Sequence, residues 1–193
     1  MARRSDHTPE ELKELAIAKA IDIIDKNGTN GFSARGVAKA MGYTVGTLYH
    51  TFGSYDMLLF HVNGRILDEW HEGLKRGIEK KAPGSRLSYL ADAYINYART
   101  HYNRWTSLFE FQSDKIPIPD WYREKVDRLF LLIESTLQPY TKGSKKSHLS
   151  AQVLWASIHG ICVLSLSGKL DSINAESTEV LVSDLLKTYL RGL

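Results

Sequence analysis

Apolar side chains return every three or four residues along nearly the whole chain, and the breaks fall at Gly, Pro, Asn and Ser, which predicts helices and no strands. In the first helix Thr8 caps, Pro9 takes the first position and Glu11 closes a capping box. Leu12, Leu15, Ala16, Ala20, Ile23 and Ile24 then repeat until Asn27-Gly28 stops it. Two short helices follow. Ser33 caps the first of them, which runs from Ala34 to Met41, buries Val37, Ala38 and Met41, and ends at Gly42; Thr44 caps the second, whose Leu48 and Phe52 point inward. A fourth helix starts after Ser54, carries Leu58, Val62, Ile66, Leu67, Trp70 and Leu74, and breaks at Ala82-Pro83-Gly84. Its length is roughly 40 Å at about 1.5 Å per residue. The same spacing predicts helices at about 85–102, around Trp105 to Phe111, at 120–137 after Pro117 and Pro119, and at about 147–167 and 175–191. The fold class is therefore all-α, with about nine helices.

Residues 33 to 59, SARGVAKAMGYTVGTLYHTFGSYDMLL, have the layout of a DNA reader: two short helices, a tight turn, and small or hydrogen-bonding residues at the start of the second helix. Thr44, Val45, Gly46, Thr47, Tyr49 and His50 face outward there. Thr44, Thr47, His50 and Ser54 suit phosphate oxygens, and Ser33, Thr44 and Ser54 also serve as caps.

In these residues the chain resembles the TetR family of transcriptional repressors, with Ser33, Val37, Ala38, Gly42, Thr44, Gly46, Thr47, Leu48, Tyr49, Phe52, Ser54 and Leu58 in register. The resemblance implies that residues 1–53 bind double-stranded operator DNA through a three-helix helix-turn-helix domain. It makes Arg35 a candidate for bidentate contact with guanine, the alternatives being a phosphate contact or a solvated charge, and puts the Tyr49 hydroxyl on a phosphate while its ring partly packs the motif. Three positions depart from the family pattern: Val45, Thr51 and Tyr55. Tyr55 stands where lysine is usual, so a neutral hydroxyl replaces a point charge and a lower affinity or a weaker salt dependence is expected.

Farther along, WASIHG at Trp155 to Gly160 followed by LSGKL is similar to a TetR subgroup marked by W-x-x-x-H-G. That resemblance implies a larger domain, 54–193, which binds a small effector among its middle helices and forms a homodimer through its last two. The apolar residues of the penultimate helix nearly encircle it, which calls for cover on more than one side. Leu154, Ile158, Ile161, Leu164, Leu185 and Tyr189 are the expected interface. Trp70, Tyr94, Tyr97, His101, Trp105, Phe109, Trp121, Tyr122, Phe130 and Trp155 are the expected effector contacts; the alternative is that these rings fill a core. His159 either faces a ligand or packs at an interface, and Cys162 is either a buried small hydrophobe or a redox group.

Composition adds limits. The net charge of +3 is weak evidence for nucleic acid, and residues 1 to 56 carry seven positive and seven negative side chains, so attraction to phosphate rests on local placement such as Arg3 and Arg4 on a leading arm. One cysteine excludes an intramolecular disulfide and suits a reducing cytoplasm. The polar start and the lack of an uninterrupted apolar run near twenty residues predict a cytoplasmic protein with no membrane partner. No catalytic or zinc motif occurs, and Asp68, His71 and Glu72 read as a solvated face, so no cofactor, metal or catalytic residue is expected. A small hydrophobic or aromatic effector that releases a repressor is the leading reading. A constitutive or architectural DNA binder and a helical enzyme are the alternatives.

Overall fold

The structure, a computed structural model, describes residues 7–113 and 115–193, so Arg3 and Arg4 lie outside the described residues. Nine α-helices and no strands occur among them: α1 (Pro9–Asn27), α2 (Ala34–Met41), α3 (Val45–Phe52), α4 (Tyr55–Glu79), α5 (Arg86–Thr100), α6 (Tyr102–Glu110), α7 (Asp120–Leu137), α8 (Ser144–Leu166) and α9 (Thr178–Arg191). The starts of α1, α2 and α3 fall where their caps predict, whereas α9 starts at Thr178, capped by Ser177, a few residues after the expected Ala175. Thr8 and Glu11 form the reciprocal capping box of α1, with Glu11 Oε2 accepting from the Thr8 amide at 2.7 Å and Thr8 Oγ1 from the Glu11 amide at 3.2 Å. The bond from the Thr8 backbone, more than that from its side chain, holds the Glu11 carboxyl below its ordinary value.

The chain forms two compact units. Among the described residues, one comprises 7–68, 101–113 and 115–123, the other 69–100 and 124–193. The first takes up the start of α4 and all of α6 because polar bonds fasten α6 there. Arg104 donates to both carboxylate oxygens of Asp25 at 2.6 and 2.7 Å, and Asn103 Nδ2 donates to the Asp25 carbonyl at 2.9 Å. Asn63 and Ser107, both 0% exposed, bond twice: Asn63 Nδ2 to the Ser107 carbonyl at 2.9 Å, and Ser107 Oγ to Asn63 Oδ1 at 2.7 Å. A buried polar pair satisfied in both directions fixes one register between two helices. Aromatic contacts add to this unit: Phe60 packs edge-on against Phe111 and Tyr122, and His61 stacks on Trp121 with centroids 4.7 Å apart. Burial pushes the Tyr122 hydroxyl up to about 12.

In the second unit α5, α8 and α9 pack together. α8 buries Ser147, Ser150, Ala151, Leu154, Ile158 and Cys162, which share one face at helical spacing. Its opposite face leaves Leu149, Val153, Val163 and Leu164 exposed. By length and composition α8 is also long and apolar enough to cross a membrane. The expectation of no such segment rested on uninterrupted apolar runs, whereas here the apolar residues are spaced by Ser, Ala and Gly.

Candidate nucleic-acid interface

The helix-turn-helix is built from side chains that anchor and side chains that cap. Val37, Ala38, Met41, Leu48 and Phe52 are buried, so α2 and α3 are fixed against α1 and each other by the faces their spacing defines. Gly42 sits at φ +75°, a left-handed turn that closes α2 and that a side chain would strain. Ser33 Oγ accepts from the Gly36 amide at 3.1 Å, Thr44 Oγ1 from the Thr47 amide at 3.2 Å, and Ser54 Oγ from the Met57 amide at 3.0 Å. Each accepts a backbone bond; Ser33 and Ser54 keep their own hydrogen, which a phosphate oxygen can accept, while Thr44 Oγ1 also shares a bond with Thr47 Oγ1 at 3.0 Å.

Arg35, Gly46, Tyr49 and His50 are exposed, while Val45 and Thr47 are half-buried. Tyr49 stands 45% exposed beside Leu48 at 1%. Nothing in the protein's own packing demands glycine at 46, since a Cβ there would come only within ordinary contact of Thr44 Oγ1, at 3.6 Å. Lys39, one turn beyond Arg35 on α2, is also exposed and escaped the sequence reading, although the i, i+4 spacing was there to find. Tyr43, in the turn between α2 and α3, bonds His7 Nδ1 through its hydroxyl at 2.8 Å; this contact joins positions 36 residues apart and had no local signal.

Tyr55 packs its ring against Phe32 with centroids 5.6 Å apart. Its hydroxyl is pushed up first by burial and then by Asp56 and Tyr49. The residue in the usual lysine position is therefore part of the packing, and the charge that a lysine would bring is missing.

The rings expected to hold an effector divide between the two compact units. His101, Trp105, Phe109, Trp121 and Tyr122 belong to the first; Trp70, Tyr94, Tyr97, Phe130 and Trp155 belong to the second. Within the second, Trp70 stacks on Tyr97 at 4.5 Å, Trp155 stacks on His159 at 5.5 Å and meets Phe130 edge-on, and the Tyr94 hydroxyl bonds His159 Nδ1 at 2.7 Å. Burial lowers the His159 pKa. A shallow surface dent with no room for a water molecule lies between α5, α8 and α9, lined by Ile95, Ala98, Arg99, Cys162, Ser165, Leu166 and Thr178. None of the ten expected rings lines it. The Cys162 thiol at its wall is 2% exposed, and burial pushes it up to about 11, which favours the inert-hydrophobe reading.

Of the residues expected at a dimer interface, Leu154 and Ile158 are covered within their own unit, at 1% and 7% exposure, and are not available to a partner. Ile161, Leu185 and Tyr189 are half-buried, and Leu164 is 41% exposed. Sequence counted apolar residues around α8; only packing reveals which of them the neighbouring helices already cover.

Residues 16–62 match the family model described as bacterial regulatory proteins, tetR family, and residues 87–189 match the one described as tetracyclin repressor-like, C-terminal domain. Over 185 residues the chain is 21% identical to an uncharacterized HTH-type transcriptional regulator of Mycobacterium tuberculosis, spanning 94% of this chain and 81% of that one. A protein of unknown function from Rhodococcus sp. RHA1 has a similar structure, with a TM-score of 0.75 at 21% identity over 100% of this chain and 99% of its own. The transcriptional regulator FadR from Bacillus subtilis, solved in complex with stearoyl-CoA, gives a TM-score of 0.66 at 16% identity over 93% of this chain and 98% of its own. At such identities the structural likeness speaks for the fold.

Proposed function

The chain belongs to the TetR family of bacterial regulatory proteins and is a transcriptional regulator, and from that premise we propose that it is a homodimeric repressor whose hold on operator DNA is released by a small hydrophobic or aromatic effector. The observation that carries the DNA half is the surface of α3: Tyr49 and His50 exposed, bare Gly46 beside them, and capping hydroxyls around the helix start, all on a helix anchored by Leu48 and Phe52. Arg35 and Lys39 supply the charge on α2. Two such heads engage successive major grooves when their spacing matches about one turn of DNA, roughly 34–36 Å. The outer face of α8, with Leu149, Val153, Val163 and Leu164, is the proposed pairing surface, joined by Ile161 and by Leu185 and Tyr189 of α9. A dimer of this kind acts in the cytoplasm, where the operator is.

The effector half rests on the second unit, with Trp70, Tyr94, Tyr97, Phe130 and Trp155 as its apolar lining and the Tyr94–His159 bond as its polar element. An effector that binds the DNA-free arrangement more tightly lowers operator affinity, and operator lowers effector affinity by the same factor. Binding sites selected from random DNA, followed by fluorescence anisotropy and thermal shift across aromatic compounds, fatty acids and acyl-CoA thioesters, test both halves. An effector must raise the melting temperature and weaken operator binding together. The mutual contact of the body's rings favours a second reading, a constitutive DNA binder; a panel without response beside tight, sequence-selective DNA binding is its signature.

A further inference from the structure

Most hydroxyls of the two reader helices are already engaged by the protein itself. Thr44 Oγ1 accepts from the Thr47 amide and shares a second bond with Thr47 Oγ1 at 3.0 Å, while Thr51 Oγ1 donates to the Thr47 carbonyl at 3.0 Å. The first turn of α3 therefore offers a base edge three things: the methyl groups of Val45, no side chain at Gly46, and a Thr47 whose hydroxyl is tied back to Thr44. Its character is apolar.

Val45 is not needed by the motif's own core, which is closed by Leu48 and Phe52 at 1% and 6% exposure, and Val45 itself stays partly open to solvent. Its branched side chain is stiff in a helix, so contact freezes little motion. Bare Gly46 beside it, which the chain's own packing does not require, lets the helix approach a groove closely.

An apolar group pressed against a base edge discriminates strongly. The major-groove edges of guanine, adenine and cytosine present donors and acceptors, and covering these with methyl groups leaves them without partners; only thymine presents a methyl there. We infer that Val45 is a specificity residue that reads the 5-methyl group of one thymine in each operator half-site. This rests on the reading of α3 as the base-contacting helix.

The test uses the full chain and an operator selected from random DNA. Each thymine of the duplex is replaced in turn by deoxyuridine, which removes the 5-methyl and keeps every hydrogen-bonding group, and affinity is measured by fluorescence anisotropy at fixed salt for the parent and for Val45→Ala. At one thymine per half-site the replacement weakens the parent roughly fourfold, the worth of one buried methyl, and weakens Val45→Ala no further. The inference is overturned if every deoxyuridine duplex binds the parent as tightly as the thymine duplex, or if the loss is equal in parent and variant. The parent's own series decides the first point whatever the variant does. A selection that enriches no sequence at all removes the base-reading premise with it, whereas an enriched site indifferent to thymine methyls removes Val45 alone.

Discussion

Tyr49 projects from α3 with nearly half of its surface exposed, next to a leucine that is almost wholly buried, so its hydroxyl can be removed without disturbing the motif. Tyr49→Phe keeps the ring and loses one donor to phosphate. It should weaken operator binding by about 1 kcal/mol per half-site, the usual net worth of a hydrogen bond, with an unchanged melting temperature; equal anisotropy titrations for the two proteins would count against the contact. His159 gives a prediction of a different kind. Its pKa is lowered by burial from an ordinary 6.5, so below that value the unfolded chain takes up a proton that the folded one resists. Stability from this group is full above 6.5 and falls as the pH drops through the window between that value and the lowered one. His159→Gln should therefore lose less stability than the parent between about pH 7.5 and about pH 5.5, whatever it costs at neutral pH. Thermal melts at both pH values decide, and parallel losses would discount the effect. Residues of this sort differ in how far sequence exposes them. The caps Thr8, Ser33 and Thr44 are legible because a local rule fixes both partners within three positions. The Tyr94–His159 bond spans 65 positions and follows no local rule, and the partners of Tyr55 were hidden for the same reason.

Among the elements, α6 is the one whose role sequence concealed. The pattern puts a break between residues 102 and 105, but no Gly or Pro marks its place, and it falls earlier, at His101; Phe111, expected inside the helix, lies beyond its end. Nor could the pattern assign α6 to a compact unit, because the residues that do so, Asp25, Asn103 and Arg104, are of types normally left to solvent and lie 78 or 79 positions apart. The strongest clamp is the pair Asn63 and Ser107. Ser107→Ala leaves the buried Asn63 Oδ1 without its hydrogen-bond donor and should cost about 1–3 kcal/mol. Asn63→Leu leaves the Ser107 hydroxyl and carbonyl in the same position. Combining Ser107→Ala with Asn63→Leu should cost less than the sum of the single changes, since one unpaired group is then removed with its partner. Urea titrations of the three variants measure this coupling; strict additivity would show that the pair carries no linked energy.

At the scale of the whole molecule, the all-α class and the nine helices among the described residues follow from periodicity and caps, but the arrangement of apolar surface on α8 does not. Leu154, Ile158, Ile161 and Leu164 are all apolar on one helix, and the sequence pattern offers no way to tell them apart as interface residues. Packing separates them: α5 and α9 contact α8, and Leu154 and Ile158 are buried at 1% and 7%, while Leu149, Val153, Val163 and Leu164 remain exposed. Charge substitutions on the two faces should therefore fail in different ways. Leu154→Glu buries a carboxylate with no partner inside the subunit and should unfold it, at a cost of several kcal/mol. Leu164→Glu, or Val163→Glu beside it, puts the charge on the outer face and should leave a folded monomer, with helical circular dichroism intact and half the parent mass in analytical ultracentrifugation. Such a monomer has one reader helix, so it should lose most of its operator affinity, because the second half-site is no longer held at the effective concentration that the dimer imposes. If Leu164→Glu and Val163→Glu both stay dimeric and bind operator as the parent does, the pairing surface is not this face of α8.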